Sequence, residues 1–249
     1  MIEKAIESFE KYISNYDKSI KEITLKYNHS YEVMNLMGEL AFRLGLDKEK
    51  IELSRLIGLL HDIGRFEQFT QFNSFNDSNI DHAKLGVKYL FEDNHIRDFI
   101  EDDKYDSIIK NAIEYHNDYM IPMDLENDEL LFTKMIRDMD KVDIYHQVAI
   151  NYNYVFNAAE VTEKVLTDFK NEKSINRKDK KSKSDAIIQI LAFIYDINFD
   201  ESFDILVETD NFDLFLSIIE VDENSEKLWR KLREICFDKI NRGVGDQSE

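Results

Sequence analysis

Apolar residues recur at helical spacing along almost the whole chain, and no stretch sustains the alternation of a half-buried strand. Ile2, Ile6, Phe9 and Ile13 mark one stripe. Val33, Leu36, Met37, Leu40 and Leu44 mark a second, closed by Gly45. Leu53, Leu56, Ile57 and Leu60 mark a third, expected to end near Gly64. Residues that would interrupt such stripes are scarce, with one proline, Pro122, and seven glycines. The expected fold class is therefore all-α. A length of 249 residues allows one large domain, or a domain with an appendage.

Polar breaks divide the pattern. Asn73–Asn79 reads as a loop, and Ser78-Asn79-Ile80-Asp81 has capping-box spacing for the helix that follows. Ile108, Ile109, Ala112 and His116 share a later face. A loop around Pro122–Asp128 precedes a helix carrying Phe132, Met135, Ile136, Met139 and Val142. Lys170–Asp185 holds seven basic and three acidic residues, which makes it a basic island in an acidic chain. The expected organisation is a main domain over 1–169, a charged linker or flap over 170–185, and a C-terminal helical extension over 186–249.

Charge narrows the partners. With 32 basic and 51 acidic residues the net charge is −19, which repels nucleic acid and anionic membranes at long range. A small phosphorylated substrate stays compatible, because a local metal cluster can reverse the field. The single cysteine, Cys236, excludes an internal disulfide and suits a cytoplasmic setting. Met1–Asp17 mixes acidic and apolar residues and does not read as a signal peptide. The most apolar stretch, Ala186–Tyr195, is too short to span a bilayer.

The helical faces carry chemistry that composition does not show. His61 lies four residues after Ile57, and Asp62 four after Gly58. His29 lies four before Val33, His116 four after Ala112, and Asp140 four after Ile136. With His82 at the start of its helix, five helix ends are expected to aim His or Asp inward. Singly, such a His can be a hydrogen-bonded core residue, and such an Asp a cap or an ion-pair partner. Together they would bury unpaired carboxylates, and a shared cation removes that penalty. His95 and His146 stand outside the pattern. Asp143, one turn from Asp140, can support a ligand imidazole or form a salt bridge on its own helix.

The ordered set His29, His61-Asp62-Ile63-Gly64-Arg65 and Arg137-Asp138-Met139-Asp140-Lys141-Val142-Asp143 resembles the HD superfamily of metal-dependent phosphohydrolases over roughly residues 25–150. The resemblance implies an HD-domain helical bundle whose metal is held by His29, His61, Asp62 and Asp140. Asp81-His82-Ala83-Lys84-Leu85-Gly86 and Glu114-Tyr115-His116-Asn117 resemble the dinuclear branches. There Asp62 would bridge to a second ion held by His82 and His116. The alternative role for these two histidines is substrate hydrogen bonding.

The implied cofactor is a divalent metal, Mn, Fe, Mg, Co or Ni, with two ions expected. The implied reaction is hydrolysis of a nucleotide or another small phosphate ester by a metal-activated water. Asp62 would hold metal and orient the nucleophile, while Arg65 and then Lys141 would neutralise the phosphoryl oxygens. Both cations can instead form salt bridges. Two other readings fit the resemblance, an HD-fold di-iron oxygenase and a regulatory binding module with a vestigial metal site.

Overall fold

The apolar stripes become helices that bury them. The computed structural model describes residues 1–77 and 80–244. The contacts group the chain into two units, Met1–Asp140 and Lys141–Glu249, and the division falls inside a helix.

In the first unit α1 (Ile2–Ile13), α2 (Lys21–Arg43), α3 (Lys48–Leu60) and α4 (Gly64–Phe72) are followed by α5 (His82–Val87), which runs on into a π-turn over Lys88–Glu92. Next come α6 (Ile96–Phe99), α7 (Asp106–Tyr115) and α8 (Asn127–Asn151), the helix that crosses the division. α2 and α3 pack along one another. Val33, Met37, Leu40, Leu53, Leu56, Ile57 and Leu60 are fully buried, and each large aliphatic side chain contributes about 1.5–3 kcal/mol by leaving water.

Asp47 caps α3 by accepting from Lys50 N at 2.9 Å. Gly45, with φ of 68°, follows the end of α2 as the sequence anticipates. Asp81 caps α5 by accepting from Ala83 N at 2.9 Å. The Ser78-Asn79 part of the anticipated capping box lies outside the described residues.

Two glycines set how closely these helices approach. A Cβ on Gly58 would lie 2.8 Å from Met34 Cα and from Val33 O, so α3 crosses α2 backbone to backbone at this point. A Cβ on Gly64 would lie 2.1 Å from His82 O and 2.6 Å from Gly86 N. Gly64 therefore opens α4 against α5; it does not close α3, as its spacing had suggested, because α3 has already ended at Leu60.

The second unit holds β1 (Tyr154–Phe156), α9 (Glu163–Lys170), α10 (Lys183–Leu191), α11 (Asp200–Glu208), α12 (Asn211–Ser217), β2 (Ile219–Val221) and α13 (Glu226–Gly243). β1 and β2 pair in parallel, with Tyr154 opposite Ile219 and Phe156 opposite Val221. Phe156 packs on Trp229, and Tyr145 packs among Phe193, Phe212 and Phe215.

Lys170–Asp185 is fastened to its surroundings. It includes a 3₁₀ turn at Arg177–Asp179, and Ser182 caps α10. The buried Asp185 carboxylate accepts from Thr162 N and Lys181 N, both at 2.9 Å. No helix among the described residues is long and apolar enough to cross a membrane.

The α2–α3 approach has a measurable consequence. Gly58→Ala should lower the unfolding free energy by about 1–3 kcal/mol, the usual cost of overpacking a closed core. An unchanged urea midpoint would show that the crossing yields to the methyl group.

Candidate metal centre

Six of the sequence-derived site residues converge in the first unit, and all except Asp140 are almost fully buried. His61 is the C-cap of α3 with Asp62 directly after it, His82 is the first residue of α5, and His116 is the C-cap of α7. His29 and Asp140 depart from the expected placement at helix ends. Both lie well inside long helices, α2 and α8, and reach the cluster from the sides of those helices.

The cluster is arranged about the two oxygens of Asp62. Oδ2 lies 3.5 Å from His29 Nε2 and 3.7 Å from His61 Nε2. Oδ1 lies 3.0 Å from His82 Nε2 and 3.7 Å from His116 Nε2. Asp140 Oδ1 completes the first half at 3.1 Å from His29 Nε2 and 3.6 Å from His61 Nε2. In each half, His29, His61 and Asp62 or Asp62, His82 and His116, the donor atoms lie within 4.8 Å of one another and could hold a metal ion.

Hydrogen bonds at the far ring nitrogens aim the imidazoles. His61 Nδ1 donates to Gly58 O and His116 Nδ1 to Ile113 O, each at 2.7 Å and each three residues back along its own chain. His82 Nδ1 meets Asp77 Oδ1 at 2.7 Å. These bonds place the Nδ1 proton outward and leave Nε2 as the donor atom facing the cluster. The Nε2 atoms then crowd together, 3.2 Å apart for His29 and His61 and 3.0 Å for His82 and His116. Converging lone pairs repel unless an electropositive centre lies among them, so the donor set fits a metal ion.

The electrostatics agree. Burial would raise the Asp62 carboxyl, but Lys26 first, then His61, His82 and Arg65, hold it well below the usual carboxylate range. Burial would likewise raise Asp140, and the His29 and His61 side chains beside its carboxylate outweigh that effect. His116 is pushed down to about 4, chiefly by burial, against the opposing bond to Asp62. Ionised carboxylates beside a neutral imidazole are the protonation states that metal ligation requires.

Other candidates fare differently. Arg65 Nη1 donates to Gln68 Oε1, Phe75 O and Asp77 Oδ1, while its Nε faces Asp62 Oδ1 at 3.5 Å. The guanidinium is thus engaged in holding Asp77, the anchor of His82. Lys141 Nζ forms a salt bridge with Asp196 Oδ2 at 2.8 Å.

Asp143 accepts from Gln147 Nε2 on its own helix, and His95 pairs with Asp98 on the surface. Two residues escaped the sequence reading. Lys26 Nζ lies 2.7 Å from Asp62 Oδ2; its signal was its position three residues before His29, on the same face of α2. Asp77 sits in an irregular segment where spacing carries no information.

Comparison with known proteins gives a consistent picture. The profile of the HD domain family matches residues 27–145, which includes all six candidate ligands. Ribonuclease Y 1 of Pediococcus pentosaceus is 32% identical over 108 residues, covering 43% of this chain and 16% of that protein. The chain thus matches only a small part of that relative's length. No solved structure gives a significant match.

Asp62→Ala removes the carboxylate common to both halves and should abolish metal binding measured by elemental analysis. Asp140→Ala should act similarly, whereas Asp143→Ala should leave most of the metal in place. Asp77→Ala should weaken metal binding by about 10–100-fold, the usual effect of freeing a ligand imidazole. Full metal content in Asp62→Ala would remove the cluster from consideration as a metal centre.

Proposed function

We propose that this chain, whose residues 27–145 match the HD domain family, is a metal-dependent phosphohydrolase acting on a nucleotide or another small phosphate ester. The observation that carries the reading is the closed set of four imidazoles and two carboxylates with a lysine ammonium among them. In this proposal His29, His61, Asp62 and Asp140 hold one divalent ion, and Asp62, His82 and His116 hold a second. Such ions, when bound, supply the positive charge that acidifies a water and polarises a phosphoryl oxygen.

The chain's own groups do the rest. Asp62, kept ionised, can accept a hydrogen bond from the attacking water and orient it. Lys26, half-buried beside Asp62, has a flexible stem that can carry its ammonium to a phosphoryl oxygen. Arg65 serves by holding Asp77 and, through it, His82.

Charge favours an anionic substrate. Asp62 and Asp140 outnumber Lys26 by one charge, so a single divalent ion turns the cluster net positive inside a protein of net charge −19. A neutral substrate would give Lys26 nothing to neutralise. The name of the relative, a ribonuclease, raises RNA as a substrate, and the strongly acidic chain opposes a long polyanion.

A panel of nucleoside monophosphates, simple phosphate esters and short RNA, assayed with each of Mn, Mg, Fe, Co and Ni, tests the reading. Hydrolysis of a small ester, lost on chelation and restored by metal, is expected. Lys26→Ala should lower kcat/KM by roughly 10–100-fold with metal content unchanged, as for loss of a charge-assisted hydrogen bond of about 1.5–3 kcal/mol. Oxygen uptake without phosphate release would replace the proposal with the di-iron oxygenase.

A further inference from the structure

Arg137 is a guanidinium buried beside the apolar stripe of its helix. It lies on α8 among Phe132, Met135, Ile136 and Met139, all fully buried, and is itself 2% exposed. Burying such a charge is unfavourable unless its donors are satisfied. Here Nη1 donates to Asp118 O at 2.6 Å, to Tyr115 O at 2.9 Å and, at longer range, to His116 O at 3.4 Å.

These are carbonyls at and just beyond the C-terminus of α7, where the intrahelical ladder leaves acceptors unpaired and the helix dipole is negative. A buried cation whose Nη1 reaches several of these carbonyls meets both needs. The clamped segment is the one that presents His116, whose Nε2 faces His82 and Asp62. Asp140, one turn further along α8, serves the other half of the cluster through His29 and His61.

We propose that Arg137 is the positioning residue for the Asp62–His82–His116 half of the centre. It fixes the chain on both sides of His116, so that retention of an ion in this half depends on a residue of α8. The inference rests on the two-ion reading given above. It assigns Arg137 no contact with substrate or reacting atoms.

The test is metal stoichiometry by mass spectrometry, together with the electron paramagnetic resonance signature of Mn(II). It compares the whole protein with Arg137→Met, Arg137→Lys and His116→Ala. The unaltered protein should hold two ions per chain and show the spin coupling of a metal pair. Arg137→Met should match His116→Ala, with one uncoupled ion, and its remaining affinity should stay within about twofold because the other half is not contacted. Arg137→Lys keeps the charge without the guanidinium and should retain the second ion with affinity reduced about tenfold, the low end for loss of ligand support.

Two ions held at unaltered affinity in Arg137→Met would overturn the proposal. So would equal weakening of both ions with a fall in melting temperature, the mark of a merely structural clamp. If Arg137→Met does not fold, Arg137→Lys decides by the same criterion of selective loss. A single ion in the unaltered protein would refute the two-ion reading and this inference with it. Failure confined to Arg137 would instead leave two ions in every Arg137 variant.

Discussion

The structure of the first unit turns on one buried carboxylate. Asp62 is held in its ionised form away from water, a state that costs several kcal/mol unless every lone pair is answered. The surroundings answer it on both sides. One oxygen faces Lys26, His29 and His61, and the other faces Arg65, His82 and His116. Those residues come from three helices, α2, α4 and α5, and from the C-caps of α3 and α7, so helix placement and site chemistry are one problem. Gly58 lets α3 lie close against α2, and Gly64 lets the start of α4 meet α5. Side chains at these two points would separate the donors that Asp62 requires.

That requirement also explains how a strongly acidic chain can suit an anionic ligand. Long-range repulsion is a property of the whole surface, whereas binding is decided within a few ångströms. Inside the cluster, imidazoles outnumber carboxylates, and a lysine already offsets one of the two negative charges. The match to the HD domain family covers this part of the chain and leaves most of the second unit outside it. The second unit, with its short parallel ladder and its aromatic core around Tyr145, is accounted for here by packing alone.

Much of this was legible in the residues. The 3.6-residue stripes at Ile2–Ile13, Val33–Leu44 and Leu53–Leu60 correspond to α1, α2 and α3, and His61-Asp62 stands at a helix end as its spacing implied. The HD-type order of His29, His61-Asp62 and Asp140 was readable as well, though only through its family resemblance. What escaped was of two kinds. Strands of three residues are too short for alternation to show, so β1 and β2 left no trace. Partnerships set by tertiary approach were equally silent: nothing local links Arg137 to the carbonyls after α7 or Lys141 to Asp196. Charged side chains on helices look alike in sequence whether they meet water, a ligand or a buried partner.

The imidazoles differ in what aims them. His61 and His116 are tied to carbonyls three residues back, bonds made to the backbone and not to a side chain. His82 is tied to a carboxylate from an irregular segment, which is itself held by Arg65 and Gln68. A backbone anchor is indifferent to mutation, whereas a side-chain anchor is inherited one codon at a time. His82 is therefore the imidazole whose aim drift or selection can most readily alter, while the aim of the other two is passed on with the helices themselves.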